Sequence, residues 1–308
     1  RQDIRRLHRG LPLIEEVPVK EGDNEGERLA KRIARAGVCS RRDAEKLIAE
    51  RRVSVDGHVI DTPATIVTAA SRIVVDGKPL PAMEPTRLFR YHKPDGLVTT
   101  HKDPEGRPTI FQSLPPGLPR LISVGRLDLT SEGLLLLTND GALARKLELP
   151  ATGWVRRYRV RVHGRVDESA LAKLASGITV DGVRYGPIEA VLERAQGGAN
   201  AWIAVSLREG KNREIRKVME HMGLPVTRLI RVAYGPFQLG HLERGQVEEV
   251  QAKVLREQMG EKPKGDRTGH ARAKPKPKRG VSPKREAQNR EESQRKENAD
   301  RRRTPSRR

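Results

Sequence analysis

The sequence predicts an α+β protein with two folded domains: a small helix-turn-helix-plus-β domain over 28–85, and a larger domain over 86–260 built on a mixed, mainly antiparallel sheet. Three observations lead there. The 308 residues exceed the usual span of one domain, roughly 100 to 200. Apolar residues recur at helical spacing from Leu29 to Ile48, and after Val53 they fall into short runs bounded by Gly, Pro and Asp. Beyond about residue 260 aromatics vanish and large aliphatics almost vanish while Lys, Arg and Pro accumulate, which predicts a disordered tail over 261–308.

Residues 1–27 mix charge with Gly and Pro without a sustained period and are expected to form a flexible N-terminal segment. Leu29, Ile33 and Ala36 then share a helical face until Gly37. Ser40 is placed to cap a second helix carrying Ala44, Leu47 and Ile48, with Asp43 giving a weaker form of the capping box. Val53, Val55 and Val59 flank the turn pair Asp56-Gly57, and Ile73, Val74 and Val75 precede Asp76-Gly77, so a small β segment follows the helices. A unit of this size is near the lower limit for folding alone, and a docking role suits it.

After Pro79, Pro81 and Pro85 the pattern changes. Strands are expected over 87–92, 96–100, 121–126, 133–138, 154–163, 187–194, 201–208 and 226–232. Helices are fewer: one opens at Asp140 or Gly141, one is capped by Asp167 and carries Leu171 and Leu174 before Gly177, and one spans 212–222 before Gly223.

Lys and Arg number 61 against 40 Asp and Glu, giving a net charge of +21, of which the tail supplies +11. A polyanion is the expected partner, nucleic acid first. A lone Cys39 excludes an intramolecular disulfide framework or a multi-thiolate metal site; as a small side chain in the interhelical turn it is read as packing. No run of about 18 apolar residues exists and the first residues lack a signal-type apolar core, so the expectation is a cytoplasmic protein with no membrane contact. Nothing suggests a coiled coil, and a monomer is expected.

Arg28, Lys31, Arg32, Arg35, Arg41, Arg42 and Lys46 make the two small helices densely basic. At 3.6 residues per turn the first four lie away from Leu29 and Ile33 and can address phosphates together, which positions RNA without reading its sequence. The pattern Arg35-Ala-Gly-Val-Cys-Ser-Arg-Arg42 followed by Val53-Ser-Val-Asp-Gly57 resembles the small RNA-binding domain named for the fourth small-subunit ribosomal protein.

The second motif runs Gly125-Arg-Leu-Asp-Leu-Thr-Ser-Glu-Gly-Leu-Leu-Leu-Leu-Thr-Asn-Asp-Gly141 and sets Asp128 in a loop between two apolar strands, beside Arg126. Local pattern allows two readings, a turn-capping Asp or a reactive carboxylate. The whole string resembles the catalytic motif of the RsuA/RluB family of ribosomal RNA pseudouridine synthases. The resemblance implies that Asp128 is the catalytic carboxylate and that Arg126 helps hold the RNA open around an extracted base. Arg157-Tyr-Arg-Val160 resembles the family's segment with an active-site tyrosine, which implies that role for Tyr158. Glu209-Gly-Lys-Asn-Arg-Glu-Ile-Arg-Lys217 resembles the segment whose arginine pairs with the catalytic Asp, here Arg216. Many members have Gln where this chain has Glu214.

The resemblance covers about 28–259, and the segment Lys102–Pro115 with the basic extension is most similar to members acting on the large ribosomal subunit. It implies isomerisation of a specific uridine in large-subunit ribosomal RNA, with no cofactor and no metal. Lys211, Arg213 and Lys217 would grip flanking phosphates.

Other reaction classes lack their parts. The histidines show no zinc spacing, one Cys cannot make the deaminase signature, and the Gly-rich turn of a nucleotide-like cofactor is missing. The competing reading is a non-enzymatic ribosome-associated RNA-binding protein, which has no chemical need to hold Asp128, Tyr158 and Arg216 together.

Overall fold

The computed structural model describes residues 26–196 and 200–260. All but the last two residues of the expected N-terminal segment, and the whole of the basic tail, lie outside the described residues.

The small domain opens with β1 (Glu27–Arg28), α1 (Leu29–Arg35) and α2 (Arg41–Ala49). Ser40 caps α2: its hydroxyl accepts the Asp43 N–H at 3.1 Å and donates to the Asp43 carboxylate at 2.7 Å, so Asp43 completes the cap through the hydroxyl. Strands β2 (Val53–Val55), β3 (His58–Ile60), β4 (Ile66–Val67), β5 (Ile73–Val75) and β6 (Lys78–Pro79) follow. The order β3-β2-β5-β6 makes a four-stranded sheet, and β4 pairs with β1. Leu29, Ile33, Ala44 and Ile48 pack on Val53, Ile73 and Val75 in a core of their own. Cys39 lies half-buried at its margin, where burial pushes the thiol pKa up.

The larger domain comprises β7 (Leu88–Lys93), β8 (Ile122–Val124), β9 (Ser131–Thr138), α3 (Gly141–Glu148), β10 (Arg156–His163), α4 (Glu168–Lys173), β11 (Ile178–Val180), β12 (Val183–Tyr185), β13 (Ile188–Gln196), β14 (Asn200–Leu207), α5 (Glu214–His221), β15 (Val226–Tyr234), β16 (Phe237–Gln238), β17 (Val247–Glu249) and α6 (Ala252–Gln258). Its nine-stranded sheet runs β13-β14-β10-β15-β9-β7-β17, with β8 beside β9 and β16 beside β15. All its pairings are antiparallel except one: β15 runs parallel to β9, with Leu229, Ile230 and Arg231 opposite Ser131, Glu132 and Gly133. The strand expected over 96–100 is not one. Val98 makes a single bridge to Thr109, because Pro94 and the left-handed Gly96 (φ +80°) turn the chain out of the sheet.

Strand β9 is buried along its whole length. Its run Leu134–Leu137 sends alternate side chains into two cores: Leu134 and Leu136 meet α3 and α6, while Leu135 and Leu137 meet Phe89, Tyr91, Ile110 and Leu127. Full burial of each such leucine contributes about 1.5–3 kcal/mol at most. A third core joins Val160, Ile203 and Val205 to Leu171 of α4 and Val218 of α5. Tyr158 packs against this core and against the Phe89–Leu135 core, so it marks their junction.

Candidate active site

The loop 125–130 joins β8 to β9 and carries Asp128. A cleft of about 590 Å³ opens over it, lined among others by Arg126, Asp128, Tyr158, Arg213, Glu214 and Arg231. The Asp128 side chain is one-third exposed, and its backbone carbonyl accepts the Ser131 N–H at 3.0 Å.

What fixes this loop is a cation no motif pointed to. Lys93, at the end of β7, is fully buried and its ammonium donates to the carbonyls of Pro94 (3.1 Å), Leu129 (3.2 Å) and Ser131 (2.9 Å). Burial pushes its pKa down to about 8, against the opposing pull of Asp95, Asp128 and Glu132. The signal was in the strand period. Phe89, Tyr91 and Lys93 fall on one face, so Lys93 occupies a core phase. Further anchorage comes from Thr99, whose hydroxyl donates to Leu127 O at 2.8 Å, and from Glu148, which accepts the Gly125 N–H at 2.7 Å.

The opposite wall is the turn 209–213 leading into α5. Arg213 sits at the helix N-cap in a left-handed conformation (φ +51°) and brings Nη1 to 3.9 Å from Asp128 Oδ2. The expectation that Arg216 pairs with Asp128 is corrected here. One turn into α5, the Arg216 guanidinium donates to the carbonyls of Thr130 (2.8 Å) and Val226 (3.2 Å), bracing the end of the Asp128 loop. Burial lowers its pKa first, Arg213 adds to that, and Asp128 opposes.

Tyr158 is half-buried on β10 beside a bulge between residues 157 and 158. Two arginines that sequence reasoning missed lie near it. Arg231 is buried, donates through Nε to Leu134 O at 2.7 Å and lies 5.2 Å from the Tyr234 ring. Arg156 donates to Tyr234 Oη at 3.1 Å. Their signal was weak, since arginine in an alternating strand reads as a solvent-facing position. Behind the site, Glu132 receives Arg228 at 2.7 and 3.0 Å and Arg244 at 3.1 Å; the Arg228 hydrogen bond above all holds its pKa low.

The residues expected to bind RNA divide. Arg126, Arg28, Arg42, Lys46 and Lys217 are exposed and, among the described residues, form no ion pair. Arg41 is exposed and 3.8 Å from Glu45. Lys31 and Arg32 share Glu27 at 3.2 Å each. Arg35 is corrected: it is turned inward, ion-paired with Asp140 and hydrogen-bonded to Thr86 Oγ1 at 3.0 Å, while Asp140 caps α3 by accepting the Ala142 N–H at 2.8 Å. It therefore docks the small domain on the large one. Lys211 is likewise occupied, donating to Glu209 (2.8 Å) and Arg184 O (2.6 Å).

With this geometry in view, the profile of the family described as RNA pseudouridylate synthase matches residues 87–221 and that of the S4 domain residues 27–79. A Rickettsia felis protein described as an uncharacterized RNA pseudouridine synthase is 50% identical over 229 residues, which span 74% of this chain and 99% of that one.

The chain belongs to the RNA pseudouridine synthases.

Members of this family are isomerases. The ribosomal large subunit pseudouridine synthase B of Pasteurella multocida is 44% identical over 248 residues, covering 77% of this chain and 71% of its own. A crystal structure of a pseudouridylate synthase superimposes with a TM-score of 0.53 at 27% identity, covering 75% of this chain and 99% of that one. The family places its matched segment over both walls of the cleft, from β7 through α5. Among the described residues no helix is long and apolar enough to cross a membrane, and no group of His, Cys, Asp and Glu could hold a metal ion.

Proposed function

We propose that this enzyme converts a specific uridine of large-subunit ribosomal RNA to pseudouridine, with Asp128 as its catalytic carboxylate and no cofactor. The observation that carries the reading is the meeting of Asp128, Tyr158 and Arg213 in one cleft, on a loop pinned by Lys93. The 44% identity to a large-subunit synthase supports the substrate class.

The reaction breaks the bond between the ribose anomeric carbon and ring nitrogen one, turns the uracil, and joins the same sugar carbon to ring carbon five. The proton on carbon five leaves and one is gained at nitrogen one, so no atom is gained or lost overall. Such chemistry needs a carboxylate able to act on the sugar, as nucleophile or as base toward the ribose. It also needs a pocket that retains the freed base and a nucleotide lifted from its stack. Asp128 supplies the first. Tyr158, at the junction of two cores, offers a ring for the uracil to stack on. Arg126 is free to reach the RNA beside the extracted base, and Arg28, Arg41, Arg42, Lys46 and Lys217 address phosphates with little regard to sequence. This reading sets the protein to work as a cytoplasmic monomer.

The test is pseudouridine formation in large-subunit ribosomal RNA transcribed without modification, mapped by carbodiimide-dependent reverse-transcription stops. Wild type creates one new stop. Asp128→Asn binds the RNA and creates none, a loss on the order of 10⁴-fold. Binding by both proteins without any stop refutes the reading.

A further inference from the structure

Glu214 is a carboxylate in an unfavourable place. It opens α5 next to Arg213, lines the cleft with Asp128, and is only 3% exposed. Its Oε2 accepts the Lys211 N–H at 3.0 Å. Its Oε1 is buried and receives no N–H; the group beside it is the carboxyl of Glu209. Glu209 is already engaged on both oxygens, accepting the Gly186 N–H on one and the Lys211 ammonium at 2.8 Å on the other.

Glu214 is buried while Glu209 is part-exposed and charge-paired with Lys211, so of two neighbouring carboxyls that cannot both ionise it is Glu214 that keeps the proton. The remaining neighbours do not replace it. Arg156 of β10 donates to the backbone carbonyl of Glu209, at 3.2 Å. Arg184 of β12 offers only its carbonyl, to Lys211, and Arg213 reaches out to Asp128.

We propose that Glu214 is a positioning residue: the proton it shares with Glu209 closes the turn 209–213 and so holds Arg213 at Asp128. The inference rests on Asp128 being the reacting carboxylate. Ionisation of Glu214 would put two negative charges side by side, open the turn and withdraw Arg213.

Burial, and then Glu209, raises the Glu214 pKa from 4.5 to about 7, while the Lys211 N–H and ammonium act in the opposite sense. A carboxyl raised in this way binds its proton more tightly in the folded state. The lock is complete near the unfolded pKa and is lost as pH rises through about 7.

The experiment uses full-length wild type, Glu214→Gln, Glu209→Gln and Asp128→Asn. Single-turnover pseudouridine formation on in vitro large-subunit ribosomal RNA is followed from pH 6 to 8.5, with the thermal midpoint of each protein measured alongside. The wild-type rate is expected to fall about fivefold between pH 7 and pH 8, as one titration near 7 requires. The amide of Glu214→Gln donates to Glu209 at any pH, so its rate stays within about twofold from pH 6 to 7.5, below the Lys93 titration near 8. Lys93 titrates equally in both proteins and cancels. Parallel pH profiles for wild type and Glu214→Gln overturn the proposal. Should Glu214→Gln fail to fold by circular dichroism, Glu209→Gln removes the same charge contact and must give the flat profile. If wild type makes no pseudouridine, the reading of Asp128 fails. The lock is then judged by stability alone: the wild-type midpoint must fall relative to Glu214→Gln as pH rises from 6 to 8, and a constant difference overturns it.

Discussion

The two walls of the cleft are held by opposite means. On the Asp128 side a buried ammonium, Lys93, gathers three backbone carbonyls; on the Arg213 side a buried carboxyl, Glu214, and the part-exposed Glu209 gather backbone N–H groups and a lysine. The first grip spans three main-chain positions and belongs to the sheet, while the second closes a short turn at a helix start. Rigidity is placed unequally between them. The wall presenting the carboxylate is fixed through main chain and does not depend on a shared proton. The wall presenting the arginine does.

Both walls fail together where they are joined. Gly133 has φ +100°, and a Cβ there would lie 2.3 Å from Arg231 O and 2.7 Å from Arg231 N, in the parallel pairing of β9 with β15. Gly133→Ala is expected to cost more than about 4 kcal/mol, read as a fall in the urea midpoint, because backbone strain and a main-chain clash act together. Next comes Lys93→Met, which keeps the volume and leaves the carbonyls of Pro94, Leu129 and Ser131 without their donor. It should cost about 3 kcal/mol and lower pseudouridine formation more than RNA binding. The sign with pH sharpens the contrast. A lysine whose folded pKa is lowered to about 8 destabilises the fold when charged, so its cost is relieved as pH rises from 8 toward 10.5, opposite in direction to the Glu214 effect. The smallest effect belongs to a residue outside both walls. Arg35→Ala removes the contact to Asp140 and Thr86, costing about 1 kcal/mol and exposing the segment 80–86 to limited proteolysis, while the α3 cap by Asp140 persists.

Much of this architecture was legible. The capped helices, the Asp-Gly turns and the apolar run after Asp128 announced their places through spacing alone, and Asp128 fell in the loop expected of it. Arg35 and Arg216 show what spacing does not reveal. Arg35 was assigned phosphates from its helical face and Arg216 was assigned Asp128 by resemblance, yet Arg35 met a carboxylate of the other domain and Arg216 met carbonyls from two separate segments. Those partners are distant in sequence, so no local period encodes them. The parallel β9–β15 pairing escaped for the same reason. Lys93 was within reach, because a lysine in phase with Phe89 and Tyr91 asks what would satisfy it in a core.

The parallel pairing also sets a clock. Gly133 and Arg231 lie about a hundred residues apart, so at roughly 5–20 residues per second β15 leaves the translating ribosome some 5–20 seconds after β9. Until then Asp128 is a carboxylate without an opposite wall. On the proposed roles of the S4 domain and Asp128, a nascent chain already long enough to fold the first holds RNA well before it can modify any, and the order in which the polypeptide is made excludes premature chemistry.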